Sequence, residues 1–288
     1  MGFQLLLIGI AMGLIYALMA MGLILIVKAV GVLNFAHGEL FMFGAYITYM
    51  LTIQAGFSLM AITFVAVAIF LIFGALFMFT VYWPLRNAEW SVCVTISTLG
   101  ASMALKETVR LIWDPFPLKM PPLIEGTLQM GENAKLDYQY LIIMAVSILL
   151  IVFVFILFEK MRIGRVMQAA AQNRYAAELM GIPTVVTIVA TYMISTLLSG
   201  LGGWLAAPLF LVSQSLGSFS LKAFAGIVVG GFGSIKGAVV GSILIGIVES
   251  YSILITSTYK DAVVFLVLIS VLLVRPQGIF GEKIAEKA

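Results

Sequence analysis

The chain has 288 residues, of which 62% are hydrophobic and 10% charged, with a formal net charge of +3. A soluble domain carries about 45–50% apolar and about 25% charged residues, so no soluble fold could cover this much apolar surface. The apolar runs are helix-length rather than short and alternating, which excludes a barrel and predicts an all-α, polytopic membrane protein.

The basic residues sit between the apolar runs, so the positive charge does not point to nucleic acid. The single cysteine, Cys93, excludes an intrachain disulfide framework and reads as a small buried apolar residue. No nucleophile–base pair and no metal-ligand spacing is present, so neither a catalytic nor a metal site is expected.

A span needs about 20 mostly apolar residues. Eight or nine are predicted within a single domain over 1–288: 3–27, 34–54, 58–82, 91–112, 138–158, 184–212, 220–234, 238–256 and 262–274. The start of the chain lacks a charged leader and a cleavage site, so Met1–Val27 reads as a retained span. Its Gly9 and Gly13 have the spacing that lets helices pack closely in lipid.

The next run, Gly31–Gly44, holds Asn34, His37 and Glu39 within six residues of an otherwise apolar stretch. Gly31 and Gly38 weaken a helix there, and Asn34 is a competent N-cap. A charged group at the bilayer centre costs about 2.5–3.5 kcal/mol, so such groups face a cavity or a partner. Two readings stand: the three line a substrate path at a helix break, or they lie at the headgroups beside Lys28. Residues 84–90 form a short turn. The fourth span ends in Lys106, Glu107 and Arg110, which either snorkel or pair with one another.

Asp114–Asp137, with four prolines and with Glu125, Glu132, Lys135 and Asp137, is the longest connection. It is either a stiff connector or a ledge for a soluble partner. After the charged cluster Glu159, Lys160, Arg162 and Arg165 comes a water-exposed helix at about 164–183. It is closed by Gly181 and Pro183 as a helix stop. Val166, Ala170, Ala177 and Met180 share one stripe, interrupted by Asn173, and the alanines offer a thin surface to a partner.

Gly226, Gly230, Gly237 and Gly241 are predicted to pack two helices around a tight turn. Span 220–234 is short enough to be re-entrant. No partner for Glu249 is legible. The positive-inside rule groups Lys28, Arg86, Lys160, Arg162, Arg165, Arg174, Lys236, Arg275, Lys283 and Lys287 on the cytoplasmic side. That places the N-terminus outside and the C-terminus inside.

Two stretches carry a family resemblance. Ala170–Ala171, Asn173, Ala176–Ala177, Leu179 and Gly181 resemble the cytoplasmic coupling loop of ABC-importer permeases. Asn34-Phe35-Ala36-His37-Gly38-Glu39 with Gly44-Ala45-Tyr46 resembles the signature of branched-chain amino-acid importer permeases, most closely the H-type subunit. Arg275-Pro276-Gln277-Gly278 fits the same family, whereas Lys236 stands where it often has proline.

The resemblance implies a permease subunit in a bacterial inner membrane, forming the path with a second permease. Substrate would come from an extracytoplasmic binding protein. The drive would come from cytoplasmic ATPase subunits that hold the ATP, with no cofactor in this chain. Urea or short-chain amides are alternative substrates within that class. An ion-coupled secondary transporter is the alternative from another class, with His37, Glu39 and Glu249 as coupling groups.

Overall fold

The computed structural model describes residues 2–86, 88, 90, 92–113, 115–129, 135–255 and 258–280. Glu132, Lys283 and Lys287 lie outside the described residues.

The bundle is built around helix α1 (Gly2–Val30), which is buried on all sides from Ala11 to Ile26. A helix apolar all round belongs in the centre of its bundle. The remaining helices are α2 (His37–Tyr49), α3 (Leu59–Phe77), α4 (Val92–Trp113), α5 (Tyr138–Lys160), α6 (Arg162–Gln172), α7 (Arg174–Leu179), α8 (Thr184–Ala206), α9 (Phe219–Gly230), α10 (Ile235–Ser252) and α11 (Lys260–Val274). Among the described residues, five helices are long and apolar enough to cross a membrane: α1, α3 with its extension to Leu85, α5, α8 and α10. The nine expected spans correspond to α1–α5 and α8–α11.

Small residues set the closest approaches. Gly9 lies on Ile247 and Gly13 on Ile243, so α1 and α10 touch backbone to backbone. Between α9 and α10, a side chain at Gly230 would strike the Gly237 carbonyl, and one at Gly241 would strike the Gly226 carbonyl. Contact this close is how helices associate where lipid supplies no hydrophobic drive.

Five details differ from the sequence reading. The helix expected from residue 34 begins at His37, because Gly31 takes φ 73 and the chain to Ala36 is not helical. The helix expected over 164–183 is two helices, α6 and α7, broken at Asn173 with φ −153 and ψ 100. The span expected over 220–234 is a 12-residue helix preceded by a 3-10 turn at Gln214–Ser218. Cys93 is exposed, not buried. The long connection contains a two-stranded antiparallel hairpin, β1 (Thr127–Gln129) with β2 (Lys135–Asp137), Leu128 opposite Leu136. That connection is also pinned by reciprocal backbone bonds of 2.9 and 2.8 Å between Leu118 and Val212.

Candidate functional site

Residues 31–36 turn back into the bundle instead of lying at its end. The His37 ring sits where α1 and α8 cross: Nε2 is 2.9 Å from the Met19 carbonyl and 2.8 Å from Ser199 Oγ. The carbonyl can only accept, which assigns the proton to Nε2. Met19 lies about 16 Å from the end of α1 at 1.5 Å per residue, so His37 is deep in the bundle. Gly22 makes room for the ring, since a side-chain carbon there would fall 3.0 Å from His37 Cε1.

Asn34 holds the approach to this helix start. Its Oδ1 accepts the Ala36 amide at 3.0 Å, an Asx turn rather than the expected N-cap, and the Phe35 amide donates to Thr98 Oγ1 at 3.1 Å. Asn34 and His37 are largely buried, yet both line a cavity of about 150 Å³ with Leu23, Phe35, Ser220 and Phe224, and Asn34 Nδ2 and His37 Nδ1 find no hydrogen-bond partner among the described residues.

Glu39 differs. Its carboxylate, 6% exposed, pairs with the half-exposed Lys106 of α4 at 3.6 Å. It accepts no hydrogen bond among the described residues. The start of α2 meets the turn before α9, because Gly38 lies against the Gly217 carbonyl. Two broken helices therefore abut at one place, each beginning inside the bundle. Such breaks are tolerated in a membrane where they are enclosed by protein or line a cavity. Of the three charges expected to snorkel or pair with one another at the end of α4, Glu107 does take Arg110 at 3.7 Å, whereas Lys106 pairs outside the trio, with Glu39.

A second polar cluster ties the first turn of α9. Lys222 Nζ lies 2.6 Å from Glu249 Oε1 and 2.9 Å from Asp261 Oδ1, and Tyr16 Oη donates to Glu249 Oε2 at 2.6 Å. These four residues join α1, α9, α10 and α11. Sequence reasoning gave Glu249 no partner, because the cation that meets it stands on another helix.

At the basic end, α6 and α7 form a projecting knob. Gln168 Nε2 donates to the Phe158 carbonyl at 2.9 Å and ties α6 to the end of α5. Asn173 Oδ1 caps α7 by accepting the Ala176 amide at 3.0 Å. Gly181, at φ 79, closes α7 while Ile182 N–H donates back to the Ala177 carbonyl and Gly181 N–H to that of Glu178. Ala170 and Ala177 are buried against their own chain, so they offer no surface to a partner. Asn173, Ala176, Leu179 and Gly181 are exposed. Beside them stand Tyr175 (73% exposed), Leu179 (73%) and Met180 (83%), an apolar patch the alanine stripe did not foretell.

The knob is tied to α8 through Glu178, which accepts from Thr184 Oγ1 at 2.5 Å and pairs with Arg174 at 3.1 Å. The Thr184 hydroxyl, then Arg174, holds the Glu178 carboxyl below its ordinary pKa. Along α8, Thr184, Thr187, Thr191, Ser195 and Ser199 follow at spacings of three and four. This stripe runs from the knob to His37. The signal for Ser199 was in the sequence as a helical hydroxyl stripe; Lys106 and Lys222 carried none that spacing could reveal.

Residues 5–272 match the family described as branched-chain amino acid transport system / permease component. The chain is similar to the high-affinity branched-chain amino acid transport system permease protein LivH of Escherichia coli K12, with 33% identity covering 97% of this chain and 95% of that one. It is similar to BraD of Pseudomonas aeruginosa, of the same description, with 31% identity covering 99% and 97%. The likeness runs through α1–α11, and such chains are transport subunits rather than enzymes. The chain belongs to the family of permease components of branched-chain amino acid transport systems.

Proposed function

We propose that this chain is one permease domain of a binding-protein-dependent ABC importer of branched-chain amino acids. It forms the path with a second permease and is driven by ATPase subunits that bind the ATP. The reading is carried by one observation: the apolar patch of Tyr175, Leu179 and Met180 projects from the basic end of a chain of this family. A monomeric soluble surface rarely keeps such a patch bare beside charged residues without a partner for it. The occupant is the ATPase, and the contact is made by Asn173, Ala176, Leu179 and Gly181 with that patch.

The basic end faces the cytoplasm. Lys28 and Lys236 share one cleft there with Glu159, while Lys135 and Gln4 meet at the opposite end, where the carbonyl of Lys135 accepts from Gln4 at 2.7 Å. The positive-inside rule then places the start of α1 on the outer side of the bacterial inner membrane, with the hairpin connection available to the binding protein. All three candidate path residues stand at the break: Asn34 and His37 line the cavity there, and Glu39, on the first turn of α2, pairs with Lys106. A push on α7 reaches this break through α8, which bears Thr184 at one end and Ser199 beside His37.

The test is reconstitution of the full assembly in vesicles with labelled L-leucine. ATP and the binding protein should both be needed for uptake, and collapsing ion gradients should leave it intact. Uptake that persists without ATP and stops with an ionophore would instead support an ion-coupled transporter.

A further inference from the structure

Glu39 is an anomaly at its position. A carboxylate this enclosed normally collects hydrogen bonds from its neighbours, and Glu39, 6% exposed, accepts none among the described residues. This one has a single ion pair, at 3.6 Å, beyond ordinary hydrogen-bond length. One side of it is backbone: a side-chain carbon at Gly217 would fall 3.0 Å from Glu39 Oε1. The other side is Lys106, whose side chain is 45% exposed and so able to move. Lys106 has no other ion pair among the described residues, whereas Glu107 already engages Arg110.

The juxtaposition is an anion fixed in the bundle and a cation hinged beside it, at the place where two broken helices meet. A zwitterion complements such a pair: an ammonium supplies the hydrogen bonds Glu39 lacks, and a carboxylate one carbon away takes Lys106. Net charge is unchanged when a zwitterion slips between them, so no uncompensated charge is left in the bundle.

We propose that Glu39 and Lys106 form a station for the α-amino and α-carboxyl groups of the transported amino acid, opened when Lys106 swings off Glu39. The proposal rests on the importer reading above and assigns it a substrate contact. The station reads the headgroup and leaves the side chain unread, so side-chain choice belongs elsewhere in the assembly.

The experiment uses the complete importer in vesicles. Lys106 is acylated with an amine-reactive ester and its modification rate is followed by mass spectrometry. Saturating L-leucine should slow the modification about tenfold, the factor for about 1.4 kcal/mol. Isoamylamine, which lacks the carboxylate, should give no protection, and neither should 4-methylpentanoate, which lacks the ammonium.

Glu39→Gln should abolish protection by leucine. Lys106→Met should lower uptake about tenfold, as expected for losing a charge-assisted bond, and Lys106→Arg should retain it. Co-purification of the ATPase should be unchanged in every variant. Should Glu39→Gln fail to assemble, protection in the unaltered protein and the Lys106 pair still decide. An unprotected Lys106 in an importer that takes up leucine would overturn the station and leave the importer reading standing. Loss of ATPase association in the unaltered protein would instead count against the importer.

Discussion

Lys222 Nζ lies 2.6 Å from Glu249 Oε1, and both side chains are more than nine-tenths buried between α9 and α10. Removing Lys222 takes the nearest cation from both Glu249 and Asp261 and leaves the buried Glu249 with only the Tyr16 hydroxyl and Lys260 at 3.9 Å. Lys222→Met should lower stability by about 3–5 kcal/mol, the usual cost of an orphaned buried partner. The double variant Lys222→Met with Glu249→Leu should recover much of the loss. Thermal melting of the purified protein in detergent checks both; a double variant as unstable as the sum of the singles would mean the two do not act as a pair.

Gly181 ends α7 at φ 79 with open space around it. The cost of a side chain there is therefore backbone strain alone, about 1–2 kcal/mol for a non-glycine residue in this region. Gly181→Val should loosen the end of α7, and Gly181→Asn should be milder. Faster hydrogen exchange at the amides of Met180, Gly181 and Ile182 is the readout.

His37 and Glu39 should separate cleanly. His37→Leu removes the bond to the Met19 carbonyl and the contact with Ser199, so melting temperature and uptake should fall together. Glu39→Gln keeps the shape of the side chain and should lower uptake with little change in melting. If His37→Leu melted normally yet did not transport, His37 would belong on the path after all.

Glu178 gives the knob a pH limit. Its folded pKa is depressed, so its contribution is present above the ordinary carboxylate range and is lost as pH falls through the lowered folded value. The tie from α7 to Thr184 should hold at neutral pH and release only in acid. Limited proteolysis across 173–183 should be slow at neutral pH and faster in acid, and Glu178→Gln should remove most of that difference.

Much of the fold was legible because apolar run length maps directly onto span length, as in α1, α3, α5 and α10. A break near Gly31–Gly44 and a short, re-entrant 220–234 were legible, but not where each helix starts. Residues 34–54 look continuous by hydropathy, yet Gly31 turns the backbone and Asn34 closes an Asx turn, so α2 starts only at His37. The stop at Gly181 was readable from a glycine followed by Pro183. The break at Asn173 was visible only as an interruption of a stripe, and it reverses the meaning of the alanines: Ala170 and Ala177 turn inward while Leu179 turns out. Partners on other helices, Glu39 with Lys106 and Glu249 with Lys222, depend on how helices cross, which local spacing does not encode.

The central claim is that the α6–α7 knob receives the motor. Leu179→Arg puts a cation into the middle of the exposed apolar patch without disturbing any buried contact of this chain. An interface centre tolerates an unpaired charge poorly. The account predicts that this variant inserts and folds normally but no longer retains the ATPase subunits on purification, and that ATP-driven uptake of L-leucine is lost with them. An intact complex with full uptake in Leu179→Arg would contradict it.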